Sequence, residues 1–313
     1  MSDTVERIAD ALLYEGYLLY PYRRSAVKNR QRFNFGVLYP EDHVAAGGSD
    51  TADRCFMQIE CLVLGDAATK LSLKLRFLQL MDGTAGADVS APWQEATERA
   101  VTLHCSVAEL VAAPRRHEFS FPAGKDPAGQ VTHSLVGELE FSARTVDDSA
   151  LRLRVRVTNR TTALAGGAAR ADILARSLVS CHAILTLEAG EFVSLLDPPP
   201  ELAASAGGCE NIGAWPVLAG EAGSRNAILA SPIILYDYPT IAPESAGDLF
   251  DATEIDEILS LRILTLTDEE KREVRESDER ARLLLERTEA LTAEQLMQMH
   301  GILRQPPLFE EHP

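Results

Sequence analysis

The sequence alternates strictly between aliphatic and basic residues at Leu151-Arg-Leu-Arg-Val-Arg-Val157. Because successive side chains of a β-strand point to opposite faces, this stretch places four aliphatic residues on one face and three arginines on the other. A strand with one apolar and one charged face is typical of an antiparallel sheet that buries one face and exposes the other to water. The stretch therefore predicts an antiparallel sheet.

The same period-two pattern recurs through the middle of the chain, in rows that begin at Leu71, Leu135 and Val179. Weaker strands are predicted over 32–39, 55–64, 101–107, 117–121, 191–195 and 228–236. About ten strands with few helices between them predict an antiparallel β-sandwich or an open barrel.

The pattern becomes helical after Pro239. Capping boxes at Thr267-Asp-Glu-Glu270 and Thr292-Ala-Glu-Gln295 each mark the start of a helix. We expect helices over 252–264, 268–288 with a break near Ser277, and 293–303. The predicted fold class is thus mainly β with α, an antiparallel β-sandwich or open barrel followed by a C-terminal helical segment.

These patterns divide the chain into five parts. They are an N-terminal helix with a Tyr/Arg-rich segment (1–31), the antiparallel β-sandwich domain (32–238), a linker (239–249), an acidic helical segment (250–305) and a tail (306–313).

Charge and hydropathy exclude several classes of partner. The 313 residues carry a net charge of −17, and the stretch from Glu244 onward holds 18 Asp or Glu against 8 Lys or Arg. Nucleic acid and anionic membranes repel such a surface, so we expect neither as a partner. No apolar run reaches the roughly 18 residues of a membrane span, and the N-terminus has no signal-peptide pattern, so we expect a cytoplasmic protein.

The five cysteines are scattered, without a CxxC pair, which argues against a disulfide scaffold or a zinc ribbon. Four of them, Cys55, Cys61, Cys105 and Cys181, fall in apolar rows and are expected to be buried and inert. Cys209 stands in a Gly-rich loop and is the one candidate reactive thiol, although no histidine lies near it in sequence.

No catalytic or metal-binding motif is present. His104 and His182 fall on the polar faces of their strands, where surface histidines are expected. Glu254 and Glu257 share a helix face, but acidic residues are common at a helix N-terminus because they interact favourably with its dipole. We therefore expect no catalytic residues, no metal and no cofactor.

A cluster of tyrosines and basic residues precedes the first strand. Its members are Tyr17, Tyr20, Tyr22, Arg23, Arg24, Lys28 and Arg30. One interpretation is a site for a partner protein, because Tyr and Arg are enriched in interface hot spots. The other is an internal contact, in which the cluster pairs with the chain's own acidic C-terminal segment.

Three stretches carry a family resemblance. They are Leu13-Tyr-Glu-Gly-Tyr-Leu-Leu-Tyr-Pro-Tyr-Arg-Arg-Ser-Ala-Val-Lys-Asn-Arg30, Ser231-Pro-Ile-Ile-Leu-Tyr-Asp-Tyr-Pro239 and Gly247-Asp-Leu-Phe-Asp-Ala-Thr-Glu-Ile-Asp-Glu-Ile-Leu259. Through them the chain resembles an uncharacterised family associated with gene clusters of actinobacterial-type, oxygen-tolerant [NiFe]-hydrogenases. The resemblance implies an accessory or maturation role, with a hydrogenase subunit or maturation protein as partner. The three stretches are not catalytic motifs, so the resemblance assigns no catalytic role to any residue.

Two hypotheses therefore remain. The first is an interaction protein that contacts a hydrogenase system through the Tyr/Arg segment and the acidic helices. The alternative is an enzyme or small-ligand-binding β-sandwich whose site assembles only in the fold. A deep pocket lined by His104, His182 or Cys209 would favour the alternative.

Overall fold

The computed structural model of the protein describes most of the chain. The described residues are 3–17, 19–23, 26, 29, 32–48, 50, 52–82, 94–126, 129–146, 150–164, 168–241, 256–277, 279–292 and 294–295. The chain forms two compact units. The first, here called the β unit, comprises Met1–Tyr17 and Gln31–Thr240, and the second, here called the helical unit, comprises Leu18–Arg30 and Ile241–Pro313.

The β unit is built on one antiparallel sheet that is nearly closed into a barrel. The strands of the unit are β1 Phe56–Leu80, β2 Ala96–Ser106, β3 Arg115–Phe121, β4 Gly124–Lys125, β5 Val131–Thr132, β6 Leu135–Thr145, β7 Ala150–Asn159, β8 Val179–Phe192, β9 Trp215–Leu218 and β10 Ala227–Ser231. The sheet has the order β3-β6-β7-β1-β8-β10-β9, β2 also pairs with β1, and β4 and β5 form a separate pair. The predicted mainly antiparallel β fold is confirmed, and of the two predicted architectures the barrel is the one found.

The long strand β1 joins the two halves of the sheet. Its first part, Phe56–Leu64, pairs with β7, and its second part, Lys70–Leu80, pairs with β2. Between these parts the register against β8 shifts at Gly65/Lys70. Such an irregularity bends a strand and increases its twist, which lets one strand serve both halves of a curved sheet.

The core lies on the face that the period-two rows predict. The alternating residues of β1, β6, β7 and β8 enter one hydrophobic cluster, and Leu73, Leu139, Val155 and Leu185 are each almost wholly buried. The predicted strand over 32–39 is wrong. Only Leu38 in that stretch makes isolated bridges, one to Arg54 and one to Leu178.

The β unit also contains short helices. They are α1 Asp3–Leu13, α2 Glu41–Ala45, α3 Val107–Ala112, α4 Arg170–Leu174 and α5 Ala203–Gly207. The helix α1 buries Val5, Ile8 and Leu13 and packs on the outer face of β8. A capping box between Ser106 and Glu109 begins α3.

The helical unit contains α6 Asp256–Leu264, α7 Asp268–Ser277 and α8 Glu279–Glu289. The break expected near Ser277 is confirmed, because Lys271 and Arg275 of α7 pair with Glu289 of α8, which one continuous helix would place too far away. Both capping boxes are present, since the Thr267 and Thr292 hydroxyls accept backbone N–H groups three residues later. Two predicted segments lie largely outside the described residues. Of the linker 239–249 only residues 239–241 are described, and of the last helix, 293–303, only residues 294–295.

Candidate functional site

The structure places the described middle of the Tyr/Arg segment inside the helical unit. Tyr22 is fully buried, and Tyr20 packs edge-on against it with ring centroids 6.1 Å apart. The Arg23 guanidinium lies 3.2 Å from a carboxylate oxygen of Glu270 and 3.8 Å from one of Glu273. Both acids belong to α7. These contacts favour the intramolecular interpretation of Arg23.

Tyr17 belongs instead to the β unit. Its ring is buried against Tyr14 and Phe33, at centroid distances of 5.4 and 5.7 Å, and its carbonyl accepts a hydrogen bond from Arg32. Neither Tyr17 nor Tyr22 is therefore an exposed side chain. The remaining basic members, Arg24, Lys28 and Arg30, lie outside the described residues. Partner binding by this segment stays a prediction.

The cysteines are only partly as expected. Cys61 and Cys181 are buried, and burial raises the pKa of each thiol. Cys55 and Cys105 are half-buried rather than buried; Cys55 directly precedes β1, and Cys105 is the penultimate residue of β2. Burial still raises their pKa values.

The candidate thiol Cys209 is half-buried too. Its sulfur donates a weak hydrogen bond to the Ser205 carbonyl at 3.7 Å, and Arg152 donates to the same carbonyl at 2.7 Å. Burial raises the pKa of Cys209, and the positive charge of Arg152 opposes this only in part. The thiol is therefore not activated as a nucleophile, since thiolate is the reactive form.

The surface placement predicted for His182 is wrong. The side chain is fully buried because α1 covers this face of β8, with the Ser180 hydroxyl donating to the Leu12 carbonyl at 3.0 Å. One ring nitrogen of His182 lies 2.9 Å from the Ser180 carbonyl, and the other has no hydrogen-bond partner among the described residues. Burial lowers the pKa of His182 to about 4.

An ionic cluster beside His182 holds α1 on the sheet. Arg76 of β1 is the register partner of His182 and lies 3.4 Å from Glu6, 2.6 Å from Asp10 and 3.5 Å from Glu98. This cluster was not predicted from the sequence. Its signal was the i,i+4 spacing of Glu6 and Asp10, which puts two carboxylates on one side of α1.

Two adjoining cavities lie beside β2. Their volumes are about 400 and about 120 Å³, and both are lined by His104, Cys105 and Arg115. Of the three residues named for a ligand pocket, His104 thus lines cavities, whereas His182 is sealed under α1.

A pinned loop carries the most exposed large apolar side chains of the described residues. In this loop, Pro232–Tyr238, Ile234 is 72% exposed and Tyr236 is 87% exposed. The Asp237 carboxylate accepts hydrogen bonds from the Leu218 backbone at 2.8 Å and from the Ser194 hydroxyl at 2.5 Å. Strand β10 ends at Ser231, because Pro232 has no N–H group to donate to the neighbouring strand. The strand predicted over 228–236 is wrong beyond that residue.

The ends of the loop are also fixed. The Tyr238 amide donates to the Leu218 carbonyl at 2.7 Å, and the Tyr238 ring packs on the core. Ser231 donates to the Ile233 carbonyl at 2.7 Å. The loop thus presents two apolar side chains from a backbone held at both ends.

Comparison with known proteins finds no family model that matches the chain and no curated protein with a similar sequence. Within the described residues, no group of three His, Cys, Asp or Glu side chains could together hold a metal ion. The side chains of Glu254 and Glu257 are not among those described. No helix in the described ranges is both long and apolar enough to cross a membrane.

Proposed function

We propose that the protein works by protein–protein contact, through the loop Pro232–Tyr238. The observation that carries the proposal is the exposure of Ile234 and Tyr236, at 72% and 87%, on a loop whose neighbouring residues are pinned. An apolar side chain gains free energy when a partner removes it from water, by about 25 cal/mol for each Å² buried. Tyrosine is also among the residues that dominate interface energetics.

The pinning by Asp237 and Tyr238 matters because ordering a loop on binding costs conformational entropy. A loop that is already ordered avoids much of that cost. Leu196 is a further exposed apolar side chain, and its amide donates to the Ser194 hydroxyl that bonds Asp237.

A cavity of about 270 Å³ adjoins the start of the loop. Its lining includes Tyr39, Trp215 and Pro232. The cavity offers a recess for a partner side chain next to the exposed loop, which is the arrangement expected around a hot spot.

For the partner we propose a [NiFe]-hydrogenase subunit or a hydrogenase maturation protein, as the family resemblance implies. One of the three stretches that carry the resemblance, Ser231–Pro239, contains the pinned loop. We place the protein in the cytoplasm, since all five cysteines are free and a reducing compartment suits free thiols.

The test is quantitative co-purification from the native host with wild-type protein and the variant I234S/Y236S. We expect hydrogenase proteins to co-purify with the wild type and to be lost with the variant. The variant V136S/L164S is the control, because it removes two exposed aliphatic side chains elsewhere on the β unit. Both variants should unfold like the wild type, since surface substitutions usually change stability by less than about 0.5 kcal/mol.

Two failures have different meanings. If wild-type protein captures no hydrogenase protein, the partner assignment is wrong. If the variant I234S/Y236S captures the same hydrogenase protein as well as the wild type does, the loop is not the contact surface.

A further inference from the structure

The inner face of β3 changes character along the strand. Pairing with β6 sets Arg115 opposite Phe141 and His117 opposite Leu139, and both of these partners belong to the buried row of β6. Arg115 and His117 therefore share the core-facing side of β3 with Phe119. They remain exposed, whereas Phe119 is buried. A row that turns from aromatic to basic marks the point where the core gives way to a polar opening.

That opening lies where the sheet fails to close. Strands β2 and β3 are both edges of the sheet, as is β9, and no backbone pairing between β2 and β3 occurs in the described part of the chain. The seam between them holds the smaller cavity, whose volume is about 120 Å³. Its lining consists of Leu103, His104, Cys105, Arg115, Arg116, His117 and Phe141.

The lining is rich in basic residues, although each of its arginines pairs with a carboxylate, Arg115 with Glu109 and Arg116 with Glu140. It contains two arginines, two histidines and no carboxylate, in a chain whose net charge is −17. Leu103 and Phe141 add apolar wall. A concave site of mixed apolar and basic lining can hold one end of a small ligand, and its N–H donors favour an acceptor group such as a carboxylate.

Arg115 is oriented for this role by α3. Its Nη1 atom lies 3.0 Å from Glu109, and Glu109 is itself fixed by the capping box with Ser106. This contact occupies one end of the guanidinium, and the other N–H groups have no hydrogen-bond partner among the described residues. His104 and His117 likewise have none in that part of the chain.

We propose that the seam cavity binds the carboxylate group of a small monocarboxylate, with Arg115 as the principal ligand. A guanidinium matches a planar carboxylate through paired N–H donors. Arg115 is the one arginine on the core-facing side, because Arg116 points to the opposite face of the strand and pairs with Glu140 at 2.8 Å. Because Glu109 already balances the charge of Arg115, the site offers N–H donors rather than net positive charge, which suits a monoanion better than a phosphate dianion.

The larger cavity, of about 400 Å³, continues from the same residues along the outer side of the sheet. Ser72 and Thr186 line it. A carboxylate with a longer chain has room to extend there, whereas the apolar wall at Leu103 and Phe141 suits the first carbons after the carboxylate.

The experiment is saturation-transfer NMR of butyrate with the full-length protein, with butyramide and inorganic phosphate as comparison ligands at constant ionic strength. We expect saturable binding of butyrate, weaker binding of butyramide and phosphate, and an affinity at least about tenfold lower for R115Q, which loses a charge-assisted hydrogen bond. R272Q removes the same charge from exposed α7 and should bind as the wild type does.

A second readout uses the wild type alone. Bound butyrate should slow alkylation of Cys105, which lines the cavity, and leave that of Cys55 unchanged. Non-saturable butyrate binding, unchanged affinity in R115Q, or unprotected Cys105 would each overturn the site. Phosphate binding as tight as butyrate would overturn the assignment to a monocarboxylate.

Discussion

Acidification should destabilise the β unit through His182. The imidazole is fully buried between β8 and α1, and burial lowers its pKa to about 4. Arg76 and Lys74 on β1 add repulsion against a protonated ring, and Asp10 on α1 offsets part of it. In the unfolded chain the same group titrates near about 6.5.

The sign follows from proton uptake. Between about pH 6.5 and about pH 4, His182 binds a proton in the unfolded chain but not in the folded protein. The free energy of unfolding therefore falls as the pH falls through this window. Each pKa unit of difference corresponds to about 1.4 kcal/mol, so the loss approaches about 3 kcal/mol at the acid end. Above about pH 6.5 His182 is neutral in both states, so this loss of unfolding free energy is absent there.

The perturbation that isolates this effect is His182→Asn, which keeps a donor for the Ser180 carbonyl but does not titrate. Urea unfolding is followed by pulsed hydrogen exchange, which reports β8 peptides separately from the C-terminal helices. We expect the stability gap between wild type and variant to shift by about 3 kcal/mol between about pH 7 and about pH 4, with the wild type losing more. The control His104→Asn changes an exposed histidine and should leave the wild-type pH profile intact. Parallel pH profiles for wild type and His182→Asn would refute the reasoning.

Two further predictions concern thiols and the helical unit. Alkylation of the native protein should spare Cys61 and Cys181 and should label the half-buried Cys209 slowly, because limited access and a raised thiol pKa both slow the reaction. Mass spectrometry of each cysteine-containing peptide measures the labelling. Rapid labelling of Cys61 would contradict its burial. Arg23→Glu should make α7 sensitive to limited proteolysis, because it sets like charges against Glu270 and Glu273, and adding Glu270→Arg should restore resistance. Resistance equal to wild type in the single variant would remove the support for the intramolecular contact.

The sheet could be predicted because its signal is local. In β7, as in the rows from Leu71, Leu135 and Val179, nearly every second residue is apolar, and that period directly reports which face is buried. The capping boxes at Thr267 and Thr292 were equally predictable, because a capping box is a contact between residues three apart.

Contacts between segments that are far apart in the sequence could not be predicted. Ser180 and His182 look like a solvent-facing row on β8, and only the position of α1 turns that row into a second buried face. Likewise Arg23 looks available until α7 is placed against it. The seam site needed the sheet order, since His104 and Arg115 lie on strands that do not pair.

The most direct test of the central claim is site-specific photocrosslinking in the native host, with Tyr236→p-benzoylphenylalanine. We predict a covalent adduct between position 236 and a [NiFe]-hydrogenase subunit or maturation protein, and no such adduct when the same photoreactive residue replaces Val136 on the outer face of β6. An adduct that forms equally from position 136, or none from position 236, would contradict the account.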